Sequence, residues 1–126
     1  MNVLVDTSVW VAHFRQRDEH LVTLLNEGLV LCHPYVVTEI ACGTPPDRRE
    51  VIQILSDLDT TTVATQEEVL ELIERHALYG KGCGLVDLSL LASALLTGHT
   101  LLWTLDARLS KLAIVLSRAY RPELSH

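Results

Sequence analysis

Four carboxylates, Asp6, Glu39, Asp87 and Asp106, stand where this chain could do chemistry. Asp6 ends the apolar run Val3-Leu4-Val5 and is followed by Thr7-Ser8, while Asp106 comes two residues after Thr104 at the end of a second apolar run. Asp87 lies between Leu85-Val86 and Leu88, Leu90 and Leu91, and Glu39 lies among Val36, Val37, Ile40 and Ala41. Carboxylates gathered without Lys or Arg repel one another, and their pKa values rise. Mg²⁺ or Mn²⁺ relieves that repulsion, because hard ions prefer oxygen ligands. Such a centre can activate a water and hold the leaving oxygen in an in-line phosphoryl displacement. Thr7, Ser8 and Thr104 are placed to orient the acids or to touch the scissile phosphate. Against this stands a plainer reading for Asp6, Asp87 and the three hydroxyls, as ordinary helix caps.

The elements that must position these acids follow from periodicity and punctuation. Val3–Val5 is a buried strand by its apolar, mostly β-branched composition. A short helix from Val9 to Phe14 follows, then a charged break, then a helix carrying Leu21, Val22, Leu24 and Leu25 that stops at Gly28. Leu29–Cys32 is a second strand, and Pro34 opens a helix that carries Glu39 and runs to Gly43. After the breaker Gly43-Thr44-Pro45-Pro46-Asp47, Val51, Ile52, Leu55 and Leu58 form one apolar stripe. Thr60–Ala64 is β-prone, and Thr65 caps a helix with Glu67-Glu68 in its first turn. Leu85–Thr97 is an almost wholly apolar helix, Thr100–Thr104 a strand, and Leu109, Leu112, Ala113 and Leu116 mark a last amphipathic helix. Alternation of this kind predicts one α/β domain over 1–126, with a mostly parallel central sheet of four to five strands and helices on both faces. Asp6 and Asp106 then share the edge where strands end, which is where ligands gather in such sheets.

Bulk properties narrow the class. A length of 126 residues, 48% of them hydrophobic and 21% charged, suits one folded domain and excludes disorder. No basic leader or bilayer-length apolar run is present, and Cys32, Cys42 and Cys83 lack C-x-x-C spacing. These features suit reduced thiols in a cytoplasmic protein without a membrane partner. The six His are scattered, which argues against zinc. A net charge of -6 opposes nucleic-acid binding, yet setting the four acids aside leaves twelve acids against ten basic residues, a net of -2. Beyond Asp106, Arg108, Lys111, Arg118 and Arg121 outweigh Glu123. Arg15, Arg17, Arg108 and Lys111 are expected near the acidic mouth, steering a polyanion. Gly80-Lys81-Gly82-Cys83-Gly84 follows a helix, lacks the strand a dinucleotide fingerprint needs, and reads as a tight turn with Lys81 near a substrate phosphate.

The ordered acids in VDTSVW, PYVVTE, GKGCGLVDLSLLA and WTLD resemble those of PIN-domain ribonucleases, above all the small VapC-type toxins of bacterial toxin–antitoxin pairs. The resemblance spans nearly the whole chain and implies a PIN-like fold and Mg²⁺- or Mn²⁺-dependent endoribonuclease activity on transfer, ribosomal or messenger RNA. It also implies homodimerisation and inhibition by a cognate antitoxin protein. By the family's pattern Asp6, Glu39, Asp87 and Asp106 are the metal-site acids, and Thr104 supports them. The piece Arg118–His126 matches less specifically. Two other classes fit parts of the chain. A phosphoacceptor receiver module shares its size and layout, but Asp57 and Asp59 belong to a helix end, and Asp6 lacks an acidic neighbour. A non-catalytic protein with an acidic groove would also bind a basic partner.

Overall fold

The computed structural model describes residues 1–122, so the last four residues of the Arg118–His126 piece lie outside the described residues. Three strands, β1 (Asn2–Val5), β2 (Val30–Leu31) and β3 (Thr100–Trp103), form a parallel sheet in the order β2-β1-β3. β1 pairs with β3 over its full length, from Asn2 opposite Thr100 to Val5 opposite Trp103. Val3, Leu4 and Val5 are all buried. Successive strand side chains point to opposite faces, so both faces of this central strand are covered.

Seven helices surround the sheet among the described residues: α1 (Thr7–Arg15), α2 (Glu19–Asn26), α3 (Pro34–Ala41), α4 (Arg48–Asp57), α5 (Gln66–His76), α6 (Leu85–Leu96) and α7 (Ala107–Val115). Local chemistry explains their starts. Asp18 caps α2, Thr65 and Glu68 close a reciprocal capping box on α5, and Pro34 opens α3. Helix α6 buries seven consecutive residues, Leu88 to Ala94, and so threads the core. No helix among the described residues is long and apolar enough to cross a membrane.

The sheet has three strands rather than the four to five expected, and the hydrogen bonds show why. At one edge Cys32 pairs with Thr60 as an isolated parallel bridge. Beyond it, the amides of Thr62 and Ala64 donate to the side-chain oxygens of Thr97 and Ser93, both from the α6 region. The β-prone stretch 60–64 therefore meets the sheet only at Cys32, where Thr61 N–H donates to Cys32 O at 3.1 Å, and then turns its next amides to side-chain hydroxyls instead of extending the sheet. At the other edge Leu102 makes one such bridge, to Ala119. Asp57 closes α4 and Asp59 is exposed beyond it, neither at a strand end, which removes the basis for a phosphoacceptor site there.

Candidate active site

The parallel pairing of β1 with β3 brings Asp6 and Asp106 to the same edge. Asp6 is 5% exposed, and its backbone N–H donates to Trp103 O at 2.9 Å. Its Oδ2 accepts hydrogen bonds from Ser8 Oγ and Thr104 Oγ1, both at 2.7 Å. Ser8 Oγ in turn accepts the Leu105 N–H at 3.0 Å, and Thr104 Oγ1 accepts the Asp106 N–H at 3.0 Å. Two hydroxyls thus stitch the ends of the two strands together and fix one oxygen of Asp6. The capping role open to Asp6 is not realised: its side chain makes no cap hydrogen bond to α1. Asp106 is the true cap, its Oδ1 accepting the N–H groups of Arg108 at 2.9 Å and Leu109 at 3.0 Å.

Glu39 arrives from α3, where Thr7 Oγ1 donates to Glu39 Oε1 at 2.6 Å. Helix α3 is held at its start by buried His33, whose Nδ1 accepts the Tyr35 N–H at 3.0 Å. The Nε2 of His33 lies 3.2 Å from Ser93 Oγ, and burial lowers the imidazole pKa, favouring the neutral ring that this acceptor role requires. With Nδ1 accepting, Nε2 carries the proton and donates to Ser93. No feature of the sequence singled out His33, because a buried histidine cap shows no pattern of its own.

Asp87 occupies the third position of α6, not its cap, which is Gly84. Burial raises its pKa first, followed by the negative charges of Asp6 and Asp106 and, more weakly, Glu39; the Gly84 backbone N–H, donating to the carboxylate, pulls the other way. All three other acids are therefore close enough to act on Asp87. No compensating cation is paired with any of them: the ion pairs among the described residues join Arg17 to Glu19 and Arg75 to Glu71. Arg17 is thereby engaged by Glu19, and Arg15 lines a cleft of about 350 Å³ that also includes Thr7 and Glu39.

A common arrangement emerges. Asp6, Glu39 and Asp106 each have one carboxylate oxygen pinned by protein donors, with no hydrogen bond on the other among the described residues. No group of three or more Asp, Glu, His or Cys side chains among the described residues is arranged to hold a metal ion by itself.

The fold and this acidic edge define a known class. Residues 3–115 match the PIN domain, and the chain belongs to the PIN-domain family. Within it the chain is of the VapC type, being 46% identical over 107 residues to Ribonuclease VapC32 of Mycobacterium tuberculosis, in strains CDC 1551 / Oshkosh and H37Rv alike. The aligned region covers 85% of this chain and 86% of each relative.

Proposed function

We propose that the chain is a Mg²⁺- or Mn²⁺-dependent endoribonuclease that acts as the toxin of a toxin–antitoxin pair. The observation that carries this reading is Asp87, whose carboxyl pKa is raised by burial and by three other acids, with no basic residue among the described residues paired to any of them. Repulsion of that kind is tolerable in a folded protein when a cation offsets it. The free oxygens of Asp6, Glu39 and Asp106, together with Asp87, would hold the ion in part through its waters, since Mg²⁺ keeps several waters and needs few protein oxygens. Once bound, the ion would supply Lewis-acid polarisation of the phosphate and make a water easier to deprotonate at neutral pH.

The chain's own residues do the rest. Ser8 and Thr104 hold Asp6 in one orientation, and Thr7 does the same for Glu39. The uncapped start of α1 turns its positive end toward this edge, favouring a phosphate there. The name of the relative, a ribonuclease, supports RNA as the polymer, with transfer, ribosomal and messenger RNA as the candidate substrates. A cognate antitoxin partner, a homodimeric assembly and a cytoplasmic location belong to the same reading.

The test is cleavage of cellular RNA by the purified chain. Cutting with Mg²⁺ or Mn²⁺ should stop on addition of EDTA and in Asp87→Asn. A folded Asp87→Asn protein that cuts as well as the parent would sink the assignment. For the toxin role, expression should arrest growth in a way that Asp87→Asn abolishes.

A further inference from the structure

Gly82 sits in the loop before α6 at φ +84°, a conformation L side chains rarely adopt. A methyl group placed on it would lie 2.6 Å from Arg108 Cδ, 3.1 Å from Nε and 3.2 Å from Nη1. The Arg108 side chain thus lies directly over the bare glycine. Gly80, two residues earlier in the same loop, has a similar φ of +69° but nothing within 4 Å of the same position. One glycine therefore serves the turn, and the other also makes room for a guanidinium.

Arg108 is exposed and lies in the first turn of α7, two residues after Asp106. It also lies close to the acids. The Cys83 thiol is raised by burial and then by Asp87 and Asp106, while Arg108 lowers it, so all three charges act on one atom. Yet the guanidinium forms no ion pair or hydrogen bond among the described residues. The Asp106 oxygen nearest in sequence is already occupied by two backbone N–H groups. A cation seated by packing, beside carboxylates it does not neutralise, has its donors free for an anion. Guanidinium forks match phosphate oxygens bidentately.

We propose that Arg108, seated on Gly82, binds a backbone phosphate of RNA at the acidic edge. The four carboxylates then hold the cation side of the site, and this residue holds the anion side. Keeping the guanidinium off the carboxylates leaves both free for their separate partners. This role rests on the nuclease reading above and adds a substrate contact to it.

The test separates the two ideas. A fluorescein-labelled, mixed-sequence 15-nucleotide single-stranded RNA is titrated with the full chain at several KCl concentrations, on an Asp87→Asn background that prevents turnover. Arg108→Gln should flatten the slope of log affinity against log salt by about 0.7, the share of one single-strand phosphate. Arg118→Gln, an equal change of charge at the opposite end of β3, should leave the slope alone. With Asp87 restored, Arg108→Gln and Gly82→Ala should each slow Mg²⁺-dependent cleavage of unfractionated transfer RNA by about tenfold, on the order of one charge-assisted hydrogen bond. Arg108→Lys should recover the salt slope but not the full rate, and Gly80→Ala should cut like the parent. An unchanged slope in folded Arg108→Gln overturns the proposal. So does a Gly80→Ala defect equal to that of Gly82→Ala, which would assign the loss to backbone strain. If the parent binds RNA with the expected Arg108 dependence but never cuts it, the nuclease reading falls and the phosphate site stands.

Discussion

The junctions β1–α1 and β3–α7 look interchangeable. Each is a parallel strand leading to an aspartate at a helix N-cap, Asp6 directly after β1 and Asp106 after Thr104 and Leu105, with extended backbone at Asp6 (φ −70°, ψ 156°) and at Asp106 (φ −76°, ψ 119°). Their side chains nevertheless do different work. Asp106 caps its helix through two backbone N–H groups, while Asp6 turns away to take hydroxyl hydrogens from Ser8 and Thr104. Backbone conformation makes a cap available; the neighbouring donors decide whether the carboxylate is used as one. Of the two, Asp6 is the buried one and Asp106 is exposed. In the proposed nuclease Asp6 would serve the site alone, whereas Asp106 would divide its two oxygens between helix and site.

The largest difference should appear in cleavage. Asp6→Asn removes a site carboxylate and no cap, so RNA cutting should fall by more than about 100-fold, beyond the roughly 10- to 100-fold typical of residues supporting a metal ligand. Chemical denaturation should show near-parental stability. Comparable cleavage by this variant and the parent would erase the distinction. Ser8→Ala and Thr104→Ala, which free Asp6 Oδ2 in turn, should each lower cleavage by about 10- to 100-fold in single-turnover assays. Equal activity in both would mean that Asp6 needs no orienting donors.

Asp106 divides along the other axis. Asp106→Ala should cost about 1 kcal/mol of stability by loss of the cap, while Asp106→Asn keeps the cap and should lose activity alone. Urea unfolding curves for the two variants, read beside their cleavage rates, check this. The smallest effect concerns Asp87 in the metal-free protein. Its folded pKa lies above its unfolded value, so its contribution to stability is present at low pH and is lost as pH rises through the folded pKa. Asp87→Asn should therefore raise the Tm of metal-free protein at neutral pH, and the gain should shrink on acidification. Added Mn²⁺ should raise the parent's Tm more than the variant's.

Much of this was legible from residue types. The order of elements follows from apolar periodicity, Pro34 and the glycine stops, and the acids at strand ends follow from where Val3–Val5 and the run before Asp106 terminate. The edge of the sheet was not legible, because Thr60–Ala64 has strand composition but, past one bond to Cys32, finds its hydrogen-bond partners on Ser93 of α6 and its C-cap Thr97. Nor was the division of labour between Asp6 and Asp106. Both precede a helix after a strand, and the donors that separate them come in part from a residue 98 positions away. Gly82 reads as a turn residue alone until Arg108 is seen lying across it.

The sequence by itself determined which side chains carry negative charge, that they fall at strand ends and on apolar helices, and that the chain alternates strand and helix. These are local properties, set by composition and spacing along the chain. Tertiary structure alone decided that Thr104 reaches Asp6, that three acids act on Asp87, and that no basic residue among the described residues is paired with any of the four. The reason is physical: electrostatic and hydrogen-bond energies depend on distance through space, and distance is fixed only once β1 and β3 lie side by side.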